Sequence, residues 1–269
     1  MTTTATEASP GPSTPNQYRG TMRTGTSAVF IAVALVMWVI TVLWANDMGN
    51  MPGTMGMGVI EFVLMWGLMM SAMMLPSVAP MTLLYSRTLS KHKRFRQGQF
   101  AVGYLVAWTL VGLCAFALAW VAGQLVVAPQ AARVAAVMTF AMVGVYQLTP
   151  WKFRCLEHCR SPLGHMFHYA SFQGPLKHFN AGLHHGLFCL GCCWALMVLI
   201  VVFGVMNVWA MVGLALVVAT EKLWRHGARF ARGAGYACLA LAIAVAFVPD
   251  IAPGLNPDNV MSTSDMSDM

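Results

Sequence analysis

Cysteine and histidine side chains concentrate in one stretch of the sequence, and thiolates and imidazoles are ligands that soft metal ions prefer. Five of the seven cysteines fall between residues 155 and 193. The candidate metal ligands are Cys155, His158, Cys159, His184, His185, Cys189, Cys192 and Cys193. In a helix, Cys155 and Cys159 share one face, and residues 185–193 form a second stripe. Turn residues between the segments let one group fold back onto the other, which predicts a shared site for Cu(I), with Zn(II) as the alternative.

Methionine thioethers are the second candidate feature, because they are neutral soft ligands that favour Cu(I) over Zn(II). The candidate pathway residues are the nearby carboxylate Glu61 and the methionines Met65, Met69, Met70, Met73 and Met74. The spacing of four between Met65, Met69 and Met73 places these side chains on one helical face. They are a candidate copper pathway, and the alternative is that methionine fills irregular helix interfaces.

The composition indicates which elements must position these residues. Of the 269 residues, 58% are hydrophobic and 9% are charged, whereas a soluble domain has roughly 25% charged residues. The sequence therefore predicts an all-α, polytopic transmembrane bundle in a lipid bilayer, with about seven spans. The expected spans are 27–45, 58–75, 100–127, 131–149, 186–204, 206–221 and 233–248.

The uncharged run 186–220 is too long for one span, because a single helix of that length would be about 50 Å long against a hydrocarbon core of about 30 Å. A break near Gly204 and Asn207 would divide it into a hairpin of two short helices. The sequence as a whole predicts three regions. These are a disordered tail over 1–26, a bundle over 27–249 with a Cys/His loop at 151–185, and a polar Met/Asp tail over 250–269.

Basic residues alternate between the loops, and this pattern predicts orientation. Lys and Arg lie before the first span and after the second, fourth and sixth, whereas the alternate loops hold only Arg133. Cytoplasmic loops are enriched in Lys and Arg. We therefore expect a multi-pass protein of the inner (plasma) membrane, with a cytoplasmic N-terminus, an extracytoplasmic C-terminus and the Cys/His loop inside, where thiols stay reduced. Glu221 is expected to pair with Lys222 or Arg225.

Four ordered blocks, at 73–77, 153–163, 182–194 and 206–222, resemble a bacterial domain-of-unknown-function family described as predicted metal-binding integral membrane proteins. The resemblance covers roughly residues 60 to 230 and implies metal binding. Some members look like copper-delivery factors for copper oxidases. The resemblance thereby implies copper as the metal, and a copper-dependent oxidase or a soluble copper chaperone as partner.

The leading hypothesis is a Cu(I)-handling membrane protein, either a delivery chaperone or a permease. The alternative is a thiol–disulfide oxidoreductase that uses Cys155 with Cys159 and Cys189 with Cys192, although the inward placement disfavours it. A third interpretation is an assembly protein with incidental cysteines. The sequence has no Gly-rich phosphate loop, Ser–His–Asp pattern or nucleic-acid motif, so we expect neither ATP-driven transport nor nucleic-acid binding, and an enzyme is the less favoured interpretation.

Overall fold

The computed structural model describes residues 24–48, 53–88, 93–160, 169, 171–248 and 253–255. The described residues form eight α-helices and one 3-10 turn, and no strand occurs among them. The helices are α1 Thr24–Met48, α2 Val59–Thr88, α3 Lys93–Leu125, α4 Pro129–Leu148, α5 Pro150–Arg160, α6 Lys177–Phe203, α7 Val208–Leu223 and α8 Gly227–Phe247. The expected all-α bundle is confirmed. The tails 1–26 and 250–269 lie largely outside the described residues.

Five of these helices are long and apolar enough to cross a membrane. The apolar stretches are Val59–Ala79, Phe95–Leu125, Pro129–Leu148, Lys177–Phe203 and Gly227–Phe247. The described apolar stretch of α1, Ile31–Asn46, is shorter. Helix α7 has 16 residues and is therefore about 24 Å long, less than a hydrocarbon core. Each of the seven expected spans falls on a helix, and five satisfy the length requirement among the described residues.

The break in the long apolar run is present where the sequence indicates it. Helix α6 ends at Phe203, and Gly204 follows with φ of 97°, a conformation that favours glycine. Asn207 caps α7, since its side chain accepts a hydrogen bond from the Ala210 amide at 3.1 Å. The first arm is not short, however, because α6 begins at Lys177 and has 27 residues. Its polar first turns lie outside the apolar run on which the expected boundary rested.

Small residues bring α3 and α6 into close contact. A Cβ atom added at Gly182 would collide with the Phe100 carbonyl oxygen, and one at Gly103 would collide with the Phe179 carbonyl oxygen. At Gly186 an added Cβ would lie 2.8 Å from the Ala107 Cβ. Packing of this kind lets two helix backbones approach each other in a membrane. As a result, the N-terminal part of α6 lies directly against α3 near one end of the bundle.

Candidate metal centre

Three cysteine sulfurs converge at this end of the bundle. The Sγ atoms of Cys159, Cys189 and Cys192 all lie within 4.8 Å of one another, and those of Cys159 and Cys192 are 3.8 Å apart. We call these residues the three-thiol cluster. A metal about 2.3 Å from three sulfurs in one plane separates the sulfurs by about 4 Å. The cluster therefore has close to the spacing that trigonal coordination of one ion requires.

Two helices supply the cluster. Cys189 and Cys192 are three residues apart on α6, so they share a face, and both are buried. Cys159 lies in the last turn of α5. This short helix begins at Pro150, directly after the extended residue Thr149 that ends α4. The change of direction there carries α5 across to α6.

Arg160 fixes the end of α5 that carries Cys159. Its Nη2 donates to the carbonyl oxygens of Trp224 at 2.7 Å and Arg225 at 3.0 Å, and its Nη1 donates to that of Glu221 at 3.3 Å. These carbonyls lie at the C-terminal end of α7, where a cation is favourable. Arg160 thus ties the end of α5 to the end of α7, one residue away from the cluster.

The sulfur of Cys189 has two polar neighbours outside the cluster. Lys222 Nζ donates to it at 2.9 Å and also lies 3.4 Å from Ser77 Oγ. The Tyr104 hydroxyl oxygen is 2.9 Å from the same sulfur. Lys222 is only 9% exposed and Tyr104 is fully buried. A buried ammonium therefore contacts one sulfur of the three-thiol cluster directly.

A cavity of about 80 Å³ adjoins the cluster. Its lining residues are Ser77, Val78, Met81, Cys159, Arg160, His185, Cys189, Lys222 and Leu223. Leu223 is exposed at the end of α7, whereas Cys189 is buried. The cavity therefore lies between the thiols and the end of the bundle, and it offers room beside two of the three sulfurs.

A buried ion pair lies on the other side of α7. Lys152 Nζ is 2.7 Å from Glu221 Oε2, and both side chains are almost completely buried. Gln147 Nε2 donates to Glu221 Oε1 at 2.8 Å. The expectation that Glu221 pairs with Lys222 or Arg225 is therefore wrong. Consecutive residues on a helix point about 100° apart, so Glu221 faces α4 and α5 while Lys222 faces the cluster.

The other two candidate cysteines flank the cluster. Cys193 Sγ donates to the Cys189 carbonyl oxygen at 2.9 Å. Cys155 packs against Gly191, where an added Cβ would lie 2.9 Å from its sulfur. Burial, with a smaller contribution from nearby Cys192, raises the pKa of the Cys155 thiol. Hydrogen bonds with Cys189 and Cys192, together with burial, hold the pKa of Cys159 well above its usual range.

The three candidate histidines occupy different surroundings. His185 lines the cavity, and its Nδ1 is 3.4 Å from the Tyr169 hydroxyl. His158 stacks on Phe188 with ring centroids 3.6 Å apart, and its centroid is 5.9 Å from that of His184. Of the three, only His185 shares the cavity with the thiols, while His158 and His184 belong to an adjacent aromatic group. The structure thus brings the two Cys/His segments together, as the sequence predicts.

The five candidate methionines lie in the core of α2. Met65, Met69, Met70, Met73 and Met74 are all 3% exposed or less. Their helix leads towards the cluster, because the next turns carry Ser77 and Met81, which line the cavity. Their part in a copper pathway stays a prediction.

Glu61 lies apart from the buried methionines, at the start of α2. It is exposed, and its carboxylate accepts a hydrogen bond from the Gly58 amide at 3.4 Å. A carboxylate near the N-terminus of a helix is favourable in that position. Its place in the pathway likewise stays a prediction.

Sequence reasoning missed Lys222, Tyr104 and Ser77 as neighbours of the thiols. Lys222 had a usable signal, since an ionisable residue at the end of an apolar helix often has a functional partner. Tyr104 and Ser77 had none, because nothing in a single sequence indicates which helices pack together.

A family model described as a copper chaperone (PpoB2) matches residues 63–245. The matched range is more than half of the chain and includes the three-thiol cluster, Lys222 and the ion pair. No curated protein and no solved structure matches the chain.

Proposed function

The chain belongs to this copper chaperone family, and from that premise we propose that it is a membrane delivery chaperone for Cu(I). Its apolar helices and its cysteine cluster fit copper handling in a bilayer. In this proposal Cu(I) is the cargo, and Cys159, Cys189 and Cys192 hold it. The observation that carries the proposal is the convergence of their three sulfurs within 4.8 Å.

The donor set favours Cu(I) over other ions. Thiolates are soft ligands that select Cu(I), whereas structural Zn(II) almost always has four ligands. Three sulfurs lie close enough to bind one ion, and the groups that contact the Cys189 sulfur from outside the cluster are the Tyr104 hydroxyl and the Lys222 ammonium. An ammonium is a donor only and has no lone pair for a metal. The cluster is therefore better suited to a three-coordinate ion.

Delivery, rather than transport across the bilayer, is supported by the position of the cavity. It lies beside Cys159 and Cys189 and is bordered by exposed Leu223 at the same end of the bundle. An incoming thiolate could approach the bound ion there, form a shared intermediate and leave with it. Loading and release could then use one opening. The partners would be a soluble copper chaperone and a copper-dependent oxidase.

The basic residues support a cytoplasmic position for the cluster. Arg96, Lys152, Arg160 and Lys222 belong to the ends of helices that surround it. Pro253–Leu255 instead lies near Gly204, at the other end of α6. With the positive-inside rule, we propose that the N-terminus and the cluster are cytoplasmic and that the C-terminus lies outside the inner membrane.

Metal analysis of detergent-purified protein from copper-supplemented cells tests the proposal. Wild type should hold about one copper per chain, the stoichiometry of one three-thiolate site, and Cys159→Ser, Cys189→Ser and Cys192→Ser should each lose most of it. Cys238→Ser in the buried part of α8 and exposed Cys114→Ser are matched controls that should retain it. Metal-free wild type, or full copper content in the three cluster variants, would overturn the proposal.

A thiol–disulfide oxidoreductase is the second candidate, and the 3.8 Å separation of the Cys159 and Cys192 sulfurs favours it. This pair is neither of the two that the sequence indicates, which are Cys155 with Cys159 and Cys189 with Cys192. A disulfide has a bond of about 2.05 Å, so a small approach of these atoms would suffice. Free-thiol counts at equilibrium with reduced and with oxidised glutathione separate the candidates. A redox enzyme should lose two thiols reversibly, whereas a copper chaperone should keep its count and bind copper.

A further inference from the structure

The buried ammonium of Lys222 lies beside the proposed copper site but has no role in binding the ion there. It donates to the sulfur of Cys189 at 2.9 Å and reaches Ser77 at 3.4 Å, and it lines the same cavity as Cys159. With a metal about 2.3 Å from the sulfur, the nitrogen lies within about 5 Å of the ion. A full positive charge that close must influence which ions the site accepts.

We propose that Lys222 is a specificity-determining residue that makes the three-thiol cluster select Cu(I) over Zn(II). The inference rests on the proposed copper-binding function, since it concerns the same three sulfurs. Lys222 acts through its charge and its position beside Cys189, and it is not itself a ligand.

The charge of the loaded site gives the direction of the effect. Three thiolates with Cu(I) carry two net negative charges, whereas three thiolates with Zn(II) carry one. A neighbouring positive charge stabilises the more negative complex, and that complex contains Cu(I). Because both complexes use the same deprotonated sulfurs, the comparison does not depend on the protonation of the metal-free site.

The position of Lys222 acts in the same direction. Zn(II) requires a fourth ligand, and beside Cys189 it would have to approach from the cavity that the ammonium borders. The ammonium has no lone pair to offer, so it cannot be that ligand. A neutral apolar side chain cannot be that ligand either, so substituting it removes only the electrostatic effect.

The experiment compares Lys222→Leu, which removes the charge and adds no metal ligand, with Lys222→Arg, which keeps the charge. Arg225→Leu is the matched control, because Arg225 is an exposed cation near the same end of α7. Cu(I) affinity is measured anaerobically in detergent by competition with bicinchoninate. Zn(II) affinity is measured by competition with a colorimetric chelator, and the readout is the ratio of the two. Lys222→Ala is a second neutral variant without a donor atom, in case Lys222→Leu fails to fold.

At an effective dielectric constant of about 20, one charge about 5 Å away should move the affinity ratio towards Zn(II) by roughly two hundredfold in Lys222→Leu. Lys222→Arg and Arg225→Leu should keep the wild-type ratio. A neutral variant with an unchanged ratio, or one shifted towards Cu(I), overturns this inference while wild-type copper binding leaves the proposed function standing. Wild type that binds neither ion overturns both.

Discussion

Removing the ammonium of Lys152 would leave the Glu221 carboxylate buried without its cation. The two side chains are 0% and 1% exposed, and their charged atoms are 2.7 Å apart. Breaking a buried pair by removing one partner costs about 3–5 kcal/mol. Gln147 still donates to the other carboxylate oxygen at 2.8 Å. We therefore expect Lys152→Met to lower the free energy of unfolding by about 3 kcal/mol, the lower end of this range.

This loss should be visible as a lower melting temperature in detergent. About 3 kcal/mol corresponds to a decrease of about 10 °C for a chain of this size. Copper content should fall as well, because the end of α7 that holds Glu221 also holds Lys222 against Cys189. Thermal unfolding followed by circular dichroism, with metal analysis of the same preparation, measures both effects.

The double variant Lys152→Met with Glu221→Gln distinguishes a charge effect from a packing effect. It removes both charges and keeps an amide that can still bond to Gln147, so most of the lost stability should return. A single variant that melts with wild type would refute the reasoning. A double variant no more stable than Lys152→Met would show that packing, not an unpaired charge, causes the loss.

Two further predictions concern binding and packing. Hydrogen bonds and burial raise the pKa of Cys159, so at neutral pH this thiol is protonated and Cu(I) must displace its proton. The apparent Cu(I) affinity, measured by chelator competition, should then weaken by about tenfold per unit of decreasing pH for this proton, and a pH-independent affinity between pH 6 and 8 would contradict the assignment. Gly182→Val should separate α3 from α6, because even one added carbon collides with the Phe100 carbonyl oxygen. We expect this variant to have a lower melting temperature and to bind less copper. Gly213→Val is the control and should resemble wild type, because Gly213 has open space around it.

Much of the architecture follows from the sequence because lipid imposes simple rules. The uncharged run 186–220 exceeds the thickness of a bilayer, and the chain breaks at Gly204 and Asn207 as the length requires. The start of α6 at Lys177 could not be found in this way, because hydropathy detects the apolar part of a helix and not its polar extension into water.

The residue types of the candidate site can be predicted from the sequence, but the contacts of each residue cannot. Clustering and helical spacing were enough to predict that the segment of Cys159 meets the segment of Cys189 and Cys192. They could not separate these three from Cys155, which packs against Gly191, because four-residue spacing gives both α5 cysteines the same face. The polar neighbours depend on contacts between distant helices. The pairing of Glu221 with Lys152, across 69 residues, therefore required the structure.

X-ray absorption at the copper edge of the loaded, detergent-purified protein tests the central claim most directly. Binding by Cys159, Cys189 and Cys192 predicts Cu(I) with three sulfur neighbours at about 2.3 Å and no nitrogen in the first shell. The Cys159→Ser protein, if it retains any copper, should show fewer sulfurs. A first shell dominated by imidazole nitrogen, or an unchanged sulfur number after the loss of Cys159, would contradict the three-thiolate site.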